Sequence, residues 1–284
     1  MTPAAADLPY VDPERQDHLR RRARRDAGIA SLSTVVALAL IVWGVTSAPG
    51  WPAVKEQFFS PSEFKASFPS VLRGFLLNVK LFCVAEVLIL VVALGIALLR
   101  GLRAPVFLPF RLLAALFVDV FRGVPTLLLV FLFGFGIPAL QIQGLTSSVT
   151  VWGTVALVVS YSAYVSEVYR AGIESVHPSQ RAAARSLGLS SFQTMRHVVL
   201  PQAVRRVLPP LLNDFVSLQK DTALVAVLGP IEALRAAQIY ESSDFNSTPL
   251  VAAALLFIAI TIPLARVTDR LLARERERQT IGVR

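Results

Sequence analysis

Long apolar runs, separated by polar and basic segments, are the main feature of the residue pattern. The runs are too continuous for the alternation of a half-buried strand or the stripe of a surface helix. A hydrocarbon core about 30 Å thick requires about 20 mainly apolar residues in each spanning helix. Runs close to that length cover residues 29–48, 81–99, 124–140, 149–169, 207–228 and 249–265. The pattern predicts an all-α integral membrane protein with about six transmembrane helices.

The composition agrees with a membrane environment. Hydrophobic residues make up 54% of the chain and charged residues only 17%, whereas a soluble domain carries about a quarter of charged residues. The single cysteine, Cys83, lies inside a predicted span and has no partner for an intrachain disulfide.

Basic residues account for a formal net charge of +9, and the arginines concentrate in residues 15–25, 100–111, 170–206 and 266–284. If both termini are cytoplasmic and six spans alternate, all of these segments lie on the cytoplasmic side. Basic residues bias flanking loops toward the cytoplasm during insertion. We therefore expect a multi-pass protein with cytoplasmic N- and C-termini that contacts membrane lipid and does not bind nucleic acid.

The same pattern divides the chain into segments. Residues 1–28 form a cytoplasmic basic arm, and residues 29–70 an additional N-terminal transmembrane helix with an external linker. The long basic flank and the near-full length of this first run favour a retained anchor over a cleaved signal peptide. Residues 71–271 form one continuous helical membrane domain, and residues 272–284 a basic cytoplasmic tail.

The segment between the fourth and fifth spans, which we call the 178–201 loop, predicts a pair of short cytoplasmic helices. Pro178 suits the first position of a helix, and the Ala-rich residues 179–187 favour helix strongly. Gly188 supplies the left-handed conformation that closes it. Ser190 with Gln193 has capping-box spacing, so a second helix starts at once. We expect Pro201 to interrupt that helix and begin the next span.

Residues 182–201, AAARSLGLSSFQTMRHVVLP, resemble the cytoplasmic loop of ABC importer permeases. The family pattern is E-A-A, three residues, G, nine residues and I-x-L-P. The spacing is kept at every matching position: Ala182, Ala183, Ala184, Gly188, Val198, Leu200 and Pro201. Ala182 stands where the family usually has glutamate, and Val198 where it has isoleucine. The resemblance implies that this loop forms coupling helices that dock into a groove of an ATPase subunit.

The flanking segments resemble the polar amino-acid branch of that family. Residues 121–125 (FRGVP) are similar to its F-R-G-T-P, and residues 161–172 (YSAYVSEVYRAG) to its S-A-Y-x-x-E-x-x-R-G-G. Residues 208–222 (LPPLLNDFVSLQKDT) are similar to its L-P-P-x-x-N-x-F-x-x-x-x-K-D-T. The resemblance covers residues 71–271, which are thereby identified as the transmembrane domain of an ABC importer.

The resemblance implies a permease subunit in the bacterial plasma (inner) membrane that forms the translocation path for a polar amino acid. The implied partners are a cytoplasmic ABC ATPase dimer, a second permease subunit of the same or a different chain, and an extracytoplasmic solute-binding protein. ATP hydrolysis is then expected on the ATPase subunit, and the chain itself is not expected to be an enzyme.

Charged and polar residues within or beside the spans are candidates for the substrate path, because they are costly there unless they are paired or face water. The candidates are Glu86, Arg122, Asn213, Lys220 and Asp221. The alternative is that they pair with one another or reach the interface, and only hold the helices together. Glu167 and Arg170 have the i,i+3 spacing of a local ion pair, which favours a supporting role beside the 178–201 loop.

Several classes of function are disfavoured. The chain has no G-x-x-x-x-G-K-[ST] sequence for binding ATP, and no nucleophile elbow or paired catalytic carboxylates. His18, His177 and His197 are scattered, so we expect neither a metal site nor a cofactor. The remaining alternatives are a stand-alone carrier for polar solutes, which would not need the Ala-rich loop, and a membrane scaffold, which would not need the intramembrane charges.

Overall fold

Helices are the only regular elements in residues 13–102 and 104–281, the part of the chain that this computed structural model describes. In chain order the α-helices are α1 (Pro13–Thr46), α2 (Trp51–Phe58), α3 (Pro61–Gly101), α4 (Leu108–Gly123), α5 (Thr126–Phe131), α6 (Ile137–Ala139), α7 (Val149–Glu174), α8 (Pro178–Ser186), α9 (Ser191–Thr194), α10 (Leu200–Asp221), α11 (Ala233–Asp244) and α12 (Thr248–Ile281). The chain divides into two compact units, Met1–Glu56 and Gln57–Arg284.

The membrane-crossing elements comprise single helices and bent pairs. Four segments are long and apolar enough to cross a membrane alone: Arg25–Thr46, Trp51–Gly101, Val149–Glu174 and Thr248–Ala273. Two bent pairs raise the number to six if each is one span: Pro105–Gly123 with Thr126–Ala139, and Ser191–Leu228 with Ala233–Asp244. The prediction of an all-α membrane protein with about six spans is confirmed.

Three predicted polar segments are more helical than expected. Residues 13–28 of the basic arm belong to α1 and continue into the first span without a break. Residues 61–70 of the expected linker are the first turns of α3, where Pro61 occupies the first helical position after Ser60. The tail continues α12 to residue 281. The parts of the arm and tail in residues 1–12 and 282–284 lie outside the described residues.

The first bent pair turns by 107° between α4 and α5. Pro125 forces the residue before it out of the helical region, and Val124 is indeed extended, with φ −98° and ψ 130°. The predicted run 124–140 covers only the second limb of this pair. The first limb, α4, was not predicted because Arg111, Asp119 and Arg122 interrupt its apolar residues.

The second bent pair turns by 49° between α10 and α11. α10 continues into a 3₁₀ helix, Thr222–Leu228, which ends at Gly229 with a positive φ of 104°. α11 then begins after Glu232. Sequence reasoning missed α11 because its buried positions are the small residues Ala233, Ala236 and Ala237, which form no long apolar run among the polar residues of the helix.

The core lies along one side of α3, against α7 and α10. Ala85, Ile89 and Ala93 of α3 repeat every four residues and are buried against Leu157 of α7 and Leu218 of α10. This is the i,i+4 spacing that keeps side chains on one face of a helix. The shared core sets α3, α7 and α10 side by side, and these three helices carry most of the candidate path residues.

Gly74 allows α3 to contact the backbone at the start of α11. A Cβ atom added at Gly74 would lie 2.5 Å from the carbonyl carbon of Glu232 and 2.7 Å from the nitrogen of Ala233. Helices in membranes approach closely through small residues of this kind. A larger side chain at Gly74 would therefore force α3 and α11 apart.

Candidate functional site

The first helix of the 178–201 loop, α8, ends in a glycine turn. Pro178 is its first residue, and Gly188 has a positive φ of 85°. The Gly188 amide donates to the carbonyl of Arg185 at 3.0 Å, and the Leu189 amide donates to the carbonyl of Ala184 at 3.2 Å. These two bonds form a Schellman motif, which satisfies carbonyls at the helix end. The predicted helix and its glycine turn are both present.

The second helix of the loop starts with the predicted capping box. The Ser190 amide donates to Oε1 of Gln193 at 2.8 Å, and the Gln193 amide donates to Oγ of Ser190 at 3.2 Å. The expectation that Pro201 interrupts this helix was wrong. A π-helical turn, Met195–Val199, joins α9 to α10, so the helical path continues through Pro201. The wider turn accommodates a proline ring that would clash with the carbonyl four residues earlier in a regular helix.

The outer surface of the loop is apolar and exposed. Leu187 is 84% exposed and Phe192 is 71% exposed, and both flank the glycine turn. Ala182 and Ala183 are also exposed, whereas Ala184 is buried. Exposed apolar patches rimmed by polar residues mark interaction sites in proteins. We call Leu187, Phe192, Ala182 and Ala183 the loop surface.

The last three motif positions lie beyond the loop surface. Val198 is half-buried in the π-helical turn, and Leu200 and Pro201 are exposed on the first turn of α10. They therefore shape the connection between the loop and the spanning segment.

Two arginines fix the 178–201 loop and the following helix, α10, to the end of α7. Arg181 donates to the carbonyl of Ile173 at 2.5 Å, and Arg206 donates to the carbonyl of Ser175. Carbonyl groups at the end of a helix have no partner within the helix and carry partial negative charge. Two cationic side chains thus satisfy carbonyls at the end of α7: Arg181 holds the loop against it, and Arg206 holds α10 against it.

Glu167 lies at the centre of an ion-pair chain on the same end of α7. Arg170 contacts Glu167 at 2.6 Å and Glu174 at 2.5 Å. Arg100, at the end of α3, also donates to Glu167. The i,i+3 pair expected from the sequence is present, and Arg100 extends it to a second helix. The involvement of Arg100 was not visible in the sequence because it lies 67 positions from Glu167.

The candidate path residues at the end of α10 have different surroundings. Asp221 accepts a hydrogen bond from the Tyr161 hydroxyl of α7 at 2.7 Å. Lys220 and Asn213 are exposed, and Lys220 has no ion pair within the described part of the chain. Asp221 therefore joins two helices, while the side chains of Lys220 and Asn213 are exposed on α10.

Glu86 of α3 lies within electrostatic range of Asp214 of α10. The Tyr161 hydroxyl is in range of both of these carboxylates and of Asp221. Phe82 and Phe215, adjacent along the same two helices, pack edge to face with their ring centroids 4.7 Å apart. Tyr161 thus donates a hydrogen bond to one carboxylate and lies within electrostatic range of two more, and sequence reasoning had not selected Asp214 or Tyr161.

Arg122 lies apart from these carboxylates. Its guanidinium is 5.5 Å from the centroid of the Tyr164 ring, and the Tyr164 hydroxyl donates to the Arg122 backbone carbonyl at 3.0 Å. This double contact joins the end of α4 to α7, immediately before the bend at Pro125.

A buried polar network supports the second bend. Asn78 of α3, only 1% exposed, donates to the Thr222 hydroxyl at 3.2 Å and accepts from the Ala233 amide at 3.0 Å. Glu232 accepts from the amides of Leu234 and Arg235, which caps α11. The only sequence signal for this network was a lone asparagine in an apolar run. Among the described residues, no group of three or more His, Cys, Asp and Glu side chains is arranged to hold a metal ion.

Comparison with known families matches residues 106–277 to the model of the binding-protein-dependent transport system inner membrane component. This match covers more than half of the chain, including the 178–201 loop and most of the path candidates. The chain belongs to this family. It is therefore a permease subunit of an ABC transporter.

Curated relatives and solved structures agree with this assignment. "Probable glutamine ABC transporter permease protein GlnP" of Bacillus subtilis is 34% identical over 71% of this chain and 92% of its own length. "Arginine transport system permease protein ArtQ" of the same species is 30% identical over 71% of this chain and 92% of its own length. The structure titled "Crystal structure of an amino acid ABC transporter with histidines" is 31% identical, with a TM-score of 0.65 over 72% of this chain and 94% of that chain.

Proposed function

We propose that this chain forms the membrane path of an ABC importer for a polar amino acid and is driven by a separate ATPase that docks on the loop surface. The observation that carries the proposal is the loop surface itself. Leu187 is 84% exposed and Phe192 is 71% exposed, on two short helices held rigidly by a Schellman motif and a capping box. Exposed apolar side chains rimmed by polar residues mark surfaces on which a partner protein docks.

The ion-pair chain is proposed to transmit movement from the loop to the spans. Arg181 fastens the loop to α7, Arg206 fastens α10 to the end of α7, and Glu167 joins α7 to Arg100 of α3. A shift of the loop would therefore act on two spanning helices together. In this arrangement Glu167 and Arg170 act as supporting residues and do not contact the solute.

An amino acid as cargo is supported by the relatives and by the site. The relatives are named for glutamine and arginine transport. The α-amino group that such solutes share would be attracted by the carboxylates of Glu86, Asp214 and Asp221. The exposed Lys220 offers the opposite charge for an α-carboxylate.

The remaining parts of the assembly follow from the family. A second permease subunit, a cytoplasmic ATPase dimer and an extracytoplasmic solute-binding protein would complete the importer in the bacterial inner membrane. The arginine distribution supports cytoplasmic N- and C-termini, and in that orientation the 178–201 loop would lie on the side where ATP is available. Hydrolysis would take place on the ATPase, and this chain would contribute no catalytic group.

The docking proposal is tested by copurification of the tagged chain with its ATPase. The variant combines Leu187→Ser with Phe192→Ser. The matched control is Phe245→Ser, which removes an aromatic residue that is 83% exposed at the end of α11. We expect the double variant to lose at least about tenfold of the copurified ATPase, because two apolar contacts of about 1.5–3 kcal/mol each are removed. Full retention by the double variant would overturn the docking surface.

Transport is tested separately in proteoliposomes with the complete complex, the binding protein and labelled glutamine or arginine. Uptake that requires internal ATP supports the importer. Uptake by this chain alone, driven by a gradient and without the ATPase, would support the stand-alone carrier instead.

A further inference from the structure

A cavity of about 700 Å³ lies where the 178–201 loop meets the ends of the spanning helices. The ends of α3 and α7 and the start of α4 form one side, and α8, α9 and the π-helical turn form the other. We call it the basal cavity. It is separate from the carboxylates around Tyr161, none of which lines it.

Arginines dominate the charge of the basal cavity. Four arginines line it, namely Arg100, Arg111, Arg181 and Arg185, against the single carboxylate of Glu174. Ion pairs already neutralise Arg100 through Glu167 and Glu174 through Arg170. The other three arginines have no carboxylate partner among the described residues. The basal cavity therefore carries uncompensated positive charge.

Two residues that line the basal cavity, Thr194 and Arg181, each have a buried polar atom without a hydrogen-bond partner in the described part of the chain. Thr194 is only 5% exposed, and its hydroxyl has no partner within the described part of the chain. The Nε atom of Arg181 is buried and is likewise unsatisfied there. Buried polar groups without partners are rare and costly. A guanidinium nitrogen can only donate, so the missing partner is an acceptor, and the surrounding arginines favour an anionic one.

A phosphate group fits these requirements better than a single carboxylate. It presents several acceptor oxygens in the geometry that arginine binds bidentately, so it could meet the Thr194 hydroxyl and several arginines together. The volume of the basal cavity is also large for a lone carboxylate side chain.

The wall of the basal cavity indicates where the phosphate comes from. Leu98, which lines it, is 57% exposed, and Leu102, also in the wall, is 36% exposed. These two residues lie at the end of an apolar surface along α3, on which Val91 and Leu94 are also exposed. An acyl chain lying on that surface would bring its headgroup to the arginines. Basic pockets between spanning helices on the cytoplasmic side bind anionic headgroups in this manner.

We propose that the basal cavity binds the phosphate of an anionic phospholipid from the cytoplasmic leaflet. The proposal rests on the cytoplasmic position of the 178–201 loop in the proposed function, and it adds a lipid site to that function. Bound lipid would join α3 and α4 to the loop helices, so the anionic lipid content of the membrane would control how firmly the loop is held.

The test measures lipid retained by the purified full-length permease. The protein is exchanged into mixed micelles with equal amounts of phosphatidylglycerol and phosphatidylcholine, and the bound lipid is counted by mass spectrometry. The variants are Arg111→Gln, which removes an unpaired arginine, and Thr194→Val, which removes the unpartnered hydroxyl and keeps the side-chain shape. The matched control is Arg196→Gln, an exposed arginine in the same loop that does not line the basal cavity.

We expect the wild type and the control to retain phosphatidylglycerol at least about fivefold over phosphatidylcholine, and both variants to lose most of this preference. A thermal melt of the same samples checks folding: Thr194→Val should melt no lower than the wild type in phosphatidylcholine alone. Equal retention of the two lipids by the wild type, or unchanged preference in both variants, would overturn the proposal.

Two further arms separate the other sources of an anion. If inorganic phosphate stabilises the wild type and phosphatidylglycerol does not, the lipid source is wrong. If Arg111→Gln leaves lipid retention unchanged but weakens ATPase copurification, the basal cavity serves an acidic side chain of the partner and the lipid proposal fails. Because lipid retention is measured on the permease alone, its failure is distinct from failure of the docking proposal.

Discussion

The turn at Gly188 provides a quantitative test of how the loop surface is held. Gly188 has a φ of 85°, and a Cβ atom added there would meet nothing within 4 Å. A substitution therefore causes no clash, and its whole cost is the left-handed conformation. That cost is about 1–2 kcal/mol for an ordinary side chain and larger for a β-branched one. Asparagine tolerates the conformation best among non-glycine residues.

These costs predict a graded series. A loss of about 2 kcal/mol corresponds to about a 30-fold fall in the population of the native turn. We expect Gly188→Asn to remain close to wild type, Gly188→Ala to weaken docking severalfold, and Gly188→Val to weaken it by at least about 30-fold. The bonds from Gly188 to Arg185 and from Leu189 to Ala184 would be lost together in the valine variant.

The assay for this series is the ATPase activity of the reconstituted complex and its stimulation by the loaded binding protein, with copurified ATPase measured in parallel. A Gly188→Val complex with normal stimulation and normal ATPase content would refute the reasoning. An asparagine variant as defective as the valine variant would also refute it, because the glycine would then be required for close approach of the partner and not for its φ angle.

Three further predictions concern the spanning region. Gly74→Ala should lower the free energy of unfolding by about 1–3 kcal/mol, because the added Cβ would lie 2.5 Å from the Glu232 backbone. Gly95→Ala on the same helix, where a Cβ would meet nothing within 4 Å, should be neutral or stabilising. Thermal melts in detergent that do not separate the two variants would contradict this prediction. Tyr161→Phe removes the 2.7 Å hydrogen bond to Asp221 and should lower the free energy of unfolding by about 1.5–3 kcal/mol, measured by the same thermal melts. An unchanged melting temperature would show that the bond contributes nothing to stability. Lys220→Met should reduce amino-acid uptake in proteoliposomes while the complex still assembles, since Lys220 is exposed and has no ion pair in the described region. Loss of assembly would indicate a structural role instead.

The carboxylates near Tyr161 and the arginines of the basal cavity place opposite charges at different positions along the spanning helices. Glu86, Asp214 and Asp221 would attract the amino group of a solute. The arginines of the basal cavity lie instead beside the 178–201 loop, where anionic headgroups are available. Each set is thus proposed to bind a different ligand.

Local patterns in the sequence determined the class of the protein and the geometry of its loop. Uninterrupted apolar runs require helices in a bilayer, because every backbone group there must be satisfied within its own segment. The ends of α8 and the start of α9 depend on residues within six positions of each other, so Pro178, Gly188, Ser190 and Gln193 were sufficient to predict them. The motif spacing around Gly188 likewise identified the family.

Only the tertiary structure decided which residues act together. α4 and α11 were not predicted from the sequence. Charged residues interrupt the apolar residues of α4, and the buried positions of α11 are small alanines. The buried face of each helix is therefore evident only from the helices that it packs against. The links from Arg100 to Glu167, from Tyr161 to Asp221 and from Asn78 to Thr222 join residues 67, 60 and 144 positions apart. No local pattern encodes such pairs, because the distance between two side chains on different helices depends on how the helices cross and on how closely they approach.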